Sequence, residues 1–228
     1  MVKKVALFIF FFSLTIFCQE KGSNDVKEFL EKLQKFQEEI NTLKVQFTQV
    51  NDFAMLQTPE VLKGTIYITK PSKVLYLYEK PDKLYYLVKD GELLIYNPKK
   101  KEATLQDVER YQNKIIKYLG ATIPIKELEK KFDMQILEEK EIYHLSFKPK
   151  KKSLSKKLSD LDFYINKSDL TISKIEIKEP EGDKVSFEFE KWDINPQLDE
   201  KVFDLKIPKG VKIRRGSVNI KEPFEEKK

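Results

Sequence analysis

Between Gly64 and Pro98 the chain alternates short apolar bursts with turn residues (GTIYITKPSKVLYLYEKPDKLYYLVKDGELLIYNP). Ile66, Tyr67 and Ile68 fill the first burst with β-forming side chains. Lys70-Pro71 closes it, because proline donates nothing to a ladder and holds the residue before it extended. Positions 74–78 form a second burst ended by Lys80-Pro81. Positions 84–88 form a third, followed by Asp90-Gly91, a dipeptide suited to positive φ in a hairpin. Positions 93–96 form the last, stopped by Asn97-Pro98. Strands joined by such short turns must run antiparallel, since a parallel return needs a long crossover. The pattern predicts a meander. Both of its phases are apolar: Leu75 and Leu77 on one, Val74, Tyr76 and Tyr78 on the other. A sheet with one wet face alternates more cleanly. Both faces are therefore covered, by ordinary core packing or by a ligand lying on one of them.

Upstream, Val26, Phe29, Leu30, Leu33, Phe36, Ile40 and Leu43 recur at intervals of three and four, which predicts an amphipathic helix over 25–43 capped by Asn24 or Asp25. The run LKVQFTQV then leads as a strand towards the meander, with Thr58-Pro59 marking a loop. Downstream, the charged residues 99–110 read as an exposed loop or edge. Residues 113–119 read as a short helix stopped by Gly120, and 125–132 as a second with Pro124 near its first turn. Strands return at 134–137, 142–147, 161–165, 171–177 and 185–192. The basic run KPKKKSLSKK between two of them is a solvated hairpin tip or a contact for anionic headgroups. There is neither β-α-β alternation nor a tandem repeat. The expected fold is α+β: a single domain, a curved antiparallel sheet of roughly ten or eleven strands with helices covering its concave side.

The amino terminus departs from this pattern. Met1-Val-Lys-Lys precedes an apolar run from Val5 to Phe17, too short to span a bilayer comfortably but suited to a secretory leader. Residues 1–18 are expected to be that signal peptide and 19–228 the domain. Cys18 has two readings: the last leader residue of a secreted protein, or an acylated first residue that anchors the mature chain. It is the only cysteine, so no intrachain disulfide forms. Loss of Lys3 and Lys4 lowers the formal charge from +6 to +4, modest beside 43 basic and 37 acidic residues and not the balance of a nucleic-acid binder.

Catalytic chemistry is hard to find. The one histidine, His144, lies in a predicted strand and reads as structural, and no second His or Cys joins it in a metal-ligand spacing. No serine sits in a G-x-S-x-G turn and no glycine-rich phosphate loop is present. The ten tyrosines and sixteen phenylalanines lack an interleaved basic platform for bases. No catalytic residue, metal or cofactor is expected. Binding of apolar matter remains.

In order along the chain, the predicted helix leads into VQFTQV, GTIYITKP, YEKP, VKDG and YNP, and VFDLKIPKGV follows near the end. In this order and spacing, nearly all of 26–213 resembles the LolA-like periplasmic carriers of outer-membrane lipoproteins. The resemblance implies a half-barrel closed by helices, with an apolar cavity that receives acyl chains. It implies a monomeric chaperone in the periplasm that takes acylated lipoproteins from an inner-membrane lipoprotein-releasing transporter to an outer-membrane acceptor. An acceptor or lipid sensor anchored through Cys18 is the alternative. Carried over residue by residue, the cavity comprises Ile66, Ile68, Val74, Tyr76 and Tyr78, with Ile115, Ile116, Leu119, Ile123 and Ile125 as the apolar side of a lid. Position 70 would be the latch to lid-helix carbonyls. The family often has arginine there; Lys70 offers one ammonium in place of a planar five-donor fork. Val74 falls where the family has a rim aromatic used in receptor contact.

Overall fold

The computed structural model describes residues 23–112 and 125–217. Its centre is one sheet in the order β12-β6-β5-β4-β3-β2-β1-β11-β10-β9-β8-β7. The strands are β1 (Thr42–Asp52), β2 (Glu60–Thr69), β3 (Lys73–Lys80), β4 (Leu84–Lys89), β5 (Glu92–Asn97), β6 (Glu102–Asp107), β7 (Phe132–Glu138), β8 (Ile142–Pro149), β9 (Asp160–Asn166), β10 (Ile172–Lys178), β11 (Lys184–Ile194) and β12 (Lys212–Ser217). Among the described residues the α-helices are α1 (Ser23–Glu39) and two short ones, α2 (Ile125–Glu129) and α3 (Lys152–Ser155). The sheet is open, curved and antiparallel throughout, except where β12 joins β6 in parallel.

The meander forms as its turn residues dictate. Asp90 and Gly91 take φ of 51° and 80° between β4 and β5, the left-handed pair a tight hairpin requires. The other elements shift from their predicted bounds. α1 ends at Glu39, and Leu43 belongs to β1. α2 ends at Glu129, and Phe132 opens β7. Two corrections raise the strand count to twelve. The charged stretch expected as loop or edge contains β6, whose Ala103 is buried although its neighbours are polar. VFDLKIPKGV, which the resemblance implies as the closing strand, is not itself a strand. It follows a 3-10 turn (Glu200–Phe203) as an extended strap, and only after Val211 does the chain enter β12.

β1 joins two stacks of strands, and α1 lies across the face that they share. Phe29 and Leu33 pack with Leu128, Phe132, Leu145, Phe147, Phe163, Ile165 and Ile172 over β7–β10. Phe36 packs on a second cluster of Ile40, Leu43, Val45, Phe47, Ile66, Ile68, Val74, Val88 and Val108 over β1–β4. The spacing 29, 33, 36 and 40 turns one stripe of the helix and its exit onto this inner face. Leu33, 0% exposed, contributes about 1.5–3 kcal/mol by that burial alone.

The outer face differs between the stacks. Over β3–β6, Leu75, Leu87, Leu94, Tyr96 and Ala103 lie beneath the strap, whose Phe203 is 1% exposed. Leu198, Val202, Leu205, Ile207 and Val211 complete that contact. Asp199 caps the 3-10 turn by accepting from the Lys201 amide at 2.9 Å. Lys73 pairs with Glu200, and Lys89 with Asp204 at 3.3 Å. Over β8–β11 the outer positions are instead His144, Asp162, Tyr164, Lys174, Glu176 and Ser186.

Candidate functional site

The register of β2 on β3 opposes Ile68 to Val74, Ile66 to Tyr76 and Gly64 to Tyr78, so these side-chain positions share the inner face. The structure thus brings together Ile66, Ile68, Val74, Tyr76 and Tyr78. They are not equivalent. Ile66, Ile68 and Val74 are buried in the second cluster, whereas Tyr76 and Tyr78 are only partly buried at its margin. Val74, for which the resemblance implied a place at the rim, is a core residue, 1% exposed.

The two tyrosines belong to an aromatic row that crosses the inner face. Tyr86 lies 5.8 Å from Tyr78, Tyr78 5.2 Å from Phe47, and Phe47 6.1 Å from Phe187. Phe187 stacks on Phe189 at 6.3 Å, and Phe189 meets the edge of Trp192 at 5.9 Å. The row runs over β4, β3, β1 and β11 but needs a gap at β2. Gly64 supplies it: it stands between Phe47 and Tyr78 in register, and a Cβ there would come within 3.0 Å of the Phe47 ring and 2.2 Å of the Leu77 carbonyl oxygen. Only glycine lets the two rings meet.

Burial, reinforced by the neighbouring Tyr86, pushes the Tyr78 phenol up to about 12. Burial, then Tyr78, raises Tyr76 still further. Both stay neutral at physiological pH. The Tyr78 hydroxyl donates to Gln49 Oε1 at 2.8 Å, Gln49 donates to Asn51 at 2.7 Å, and Asn51 to Glu60 at 2.9 Å. The phenol's polar end is thus drawn to the rim, leaving its ring to the apolar face.

Lys70 ends β2 beneath the last turn of α1, and its Nζ donates to the Gln37 carbonyl at 2.7 Å. A cation there also meets the negative end of the helix dipole. Burial lowers its affinity for a proton, and the negative charge of Glu38 opposes that. Sequence reasoning overlooked a second tie. Asn195, after β11, donates from Nδ2 to the Glu39 carbonyl at 3.0 Å, while its Oδ1 accepts from the Asn41 amide at 2.7 Å. Asn195 adopts φ 56°, a left-handed conformation that asparagine tolerates. α1 is thus fastened at its carboxyl end to both stacks.

Ile125 opens α2 and packs on the first cluster, beside β7–β10 rather than beside Ile66. Ile115, Ile116, Leu119 and Ile123 lie outside the described residues, as does Cys18. Phe187 and Phe189 were overlooked as candidates, although the alternation in VSFEFEKW puts both on one face. His144 is on the outer face of the other stack, bonded to Asp162 at 2.9 Å and stacked on Tyr164. Among the described residues no group of three His, Cys, Asp or Glu side chains could hold a metal, and no helix is long and apolar enough to cross a membrane. The inner face offers area and aromatic edges, the means of holding hydrocarbon without directional bonds.

The family model for "outer membrane lipoprotein carrier protein LolA" matches residues 38–206. No curated protein matches the chain. Among solved structures, an uncharacterized conserved protein from Thermus thermophilus superposes with a TM-score of 0.55 at 13% identity, over 84% of this chain and 99% of that one. MucB superposes with a TM-score of 0.53 at 12% identity, over 81% of this chain and 64% of MucB. At these identities the likeness is one of fold.

Proposed function

Since the chain belongs to the outer membrane lipoprotein carrier protein LolA family, we propose that its inner face binds the acyl chains of lipoproteins and that it ferries them through the periplasm. The observation that carries this reading is the aromatic row from Tyr86 to Trp192 on the inner face, in which Phe47 is buried and the other rings are only partly so. Each methylene removed from water contributes about 0.8 kcal/mol, so a short length of acyl chain offsets the bonds that hold α1 in place. Those bonds include one from Lys70 and one from Asn195 to the last carbonyls of the helix, and the chains must also replace the packing of Phe29, Leu33 and Phe36. In this reading α1 moves aside as chains enter. Because the wall makes no directional bonds to methylenes, the cargo is free to leave for a site that buries it as well. An inner-membrane releasing transporter and an outer-membrane acceptor would stand at either end of the transfer. The role requires no catalysis and no cofactor.

The test is the intact mass of the protein taken from its native envelope, with and without a detergent wash. A mass beginning at Gln19 with co-purified acylated polypeptide supports the shuttle. A mass beginning at Cys18 with added acyl groups replaces it with an anchored acceptor of the same fold. Turnover of an ester lipid by the purified chain would overturn both.

A further inference from the structure

Trp192, the sole tryptophan of the chain, stands on β11 where the register against β1 slips between Lys44 and Gln46. Its indole touches both apolar clusters of the inner face, one over each stack of strands. Indole carries one donor and no acceptor, and when buried it ordinarily finds a partner. Here Nε1 is sealed from solvent and donates to nothing among the described residues. A donor taken out of water without an acceptor opposes folding. The adjoining inner-face positions 187 and 189 fill their places with phenylalanine, which provides ring area without such a donor.

We infer that the Trp192 N–H is the polar contact point of the apolar site, reserved for the carbonyl oxygen of an acyl ester or amide in the ligand. The inference rests on the acyl-binding reading and narrows its ligand. A bare hydrocarbon has no acceptor, whereas an esterified or amidated fatty acid carries one at its head end, and that oxygen enters with the chain. One fixed donor where two apolar clusters meet then sets how far a chain slides, with methylenes beyond it and the carbonyl registered at Nε1. Leu33 and Phe36 of α1 pack in the same two clusters, so displacement of that helix is the movement that uncovers the indole. Lipoproteins and ester phospholipids share this carbonyl, and the probes must separate them.

The experiment uses the full chain and its Trp192→Phe variant, which keeps an aromatic ring and removes the donor. The probes are a short-chain diacyl phosphatidylcholine, its dialkyl ether counterpart and a synthetic diacylated lipopeptide, with affinities read by calorimetry. The expected result is that Trp192→Phe weakens ester binding about threefold to tenfold more than ether binding, the loss of ring area being common to both. In the wild-type chain the single indole ¹H–¹⁵N resonance should move downfield with an ester ligand and not with the ether. An effect confined to the lipopeptide identifies the carbonyl as a lipoprotein's; an effect with both esters identifies acyl esters in general; each supports the inference. Equal loss for ester and ether, no loss for either, or an indole resonance unmoved by a bound ester overturns it while leaving acyl binding intact. Binding of none of the three probes by the wild-type chain would overturn the acyl-binding reading and this inference with it. Should the variant fail to fold by circular dichroism, the wild-type resonance decides alone.

Discussion

On the outer face of β3–β6, leucines lie dry beneath the strap that carries Phe203. On the outer face of β8–β11, the corresponding positions hold two buried carboxylates, Asp162 and Glu176, ringed by donors. Burial works against the Asp162 charge, but hydrogen bonds from His144, Ser146 and Lys178 outweigh it and hold the carboxyl below its ordinary range. Glu176 behaves alike: burial opposes its charge, and bonds from Lys174 and Tyr164 with the charges of Lys174 and Lys178 prevail. Burial, then the negative charge of Glu176 and the bond to it, lift the Tyr164 phenol to about 12. The two solutions answer one question, namely what covers the second face of a sheet. Where the chain returns to cover it, the strands are apolar on both sides. Where no described segment does, the face is closed by its own long polar side chains, and each buried charge needs its partners.

The largest effect should come from uncovering the strapped half. Phe203→Ala leaves a void against Leu75 and Leu87, and an expected loss of about 3–5 kcal/mol should be read by denaturant unfolding. Hydrogen exchange in the same variant should quicken on β3–β6 and much less on β8–β10; an equal rise in both would dissolve the distinction. Acid should strike the other half. Both carboxylates have folded values depressed below the ordinary 3.8 and 4.5, so their contribution is full above about pH 4.5 and disappears as pH falls through the folded values. Exchange followed from pH 6 to 3 should therefore show β8–β10 opening first. Asp162→Ala removes the shared acceptor of His144 and Lys178, with an expected loss of about 1–3 kcal/mol in thermal unfolding and a shallower acid response. Smallest of all, Lys89→Met breaks a pair whose Asp204 partner is well exposed, and the unfolding free energy from denaturant curves should change by less than about 1 kcal/mol.

The strapped half also shows where sequence was legible and where it was not. Lys-Pro, Asp-Gly and Asn-Pro dipeptides punctuate β2–β5 so sharply that the turns and antiparallel order followed from them, and the two apolar phases of β3 gave two covered faces, although β2 begins at Glu60, ahead of the Gly64 that the pattern marks. Lys70 was singled out only by the family resemblance; nothing local marks it, since Lys80 stands before Pro81 in the same way and is exposed, and its bond to the Gln37 carbonyl depends on where α1 lies. The strap was not readable as such. Val202, Phe203, Leu205 and Ile207 give an extended chain laid over a sheet much the same apolar pattern as a strand laid within one. β6 failed in the opposite sense: as the last strand before the β12 edge, with Ala103 its only buried side chain, it shows little apolar signal. At the candidate site, the aromatics of β3 could be named from their phase. Their company on β11 could not, since the pairing of Phe47 with Phe189 joins segments with no local signal of contact. The orphaned donor of Trp192 is a property of three-dimensional neighbours alone.

The seam between β1 and β11 has a consequence for how the molecule comes together. Within each stack nearly every strand finds its neighbour across a short turn, so little chain entropy is lost in zipping β1 to β6 or β7 to β11. The seam joins Asn41 to Asn195, 154 positions apart. Closing so long a loop is the slow step that topology imposes, and it comes after the local pairings have formed. Until then α1 has only half of its bed: the β1–β4 cluster under Phe36 exists, and the β7–β10 cluster under Phe29 and Leu33 is a separate body. Helix docking and seam closure are therefore one kinetic event, and the chain acquires a covered inner face only at the last stage of its assembly.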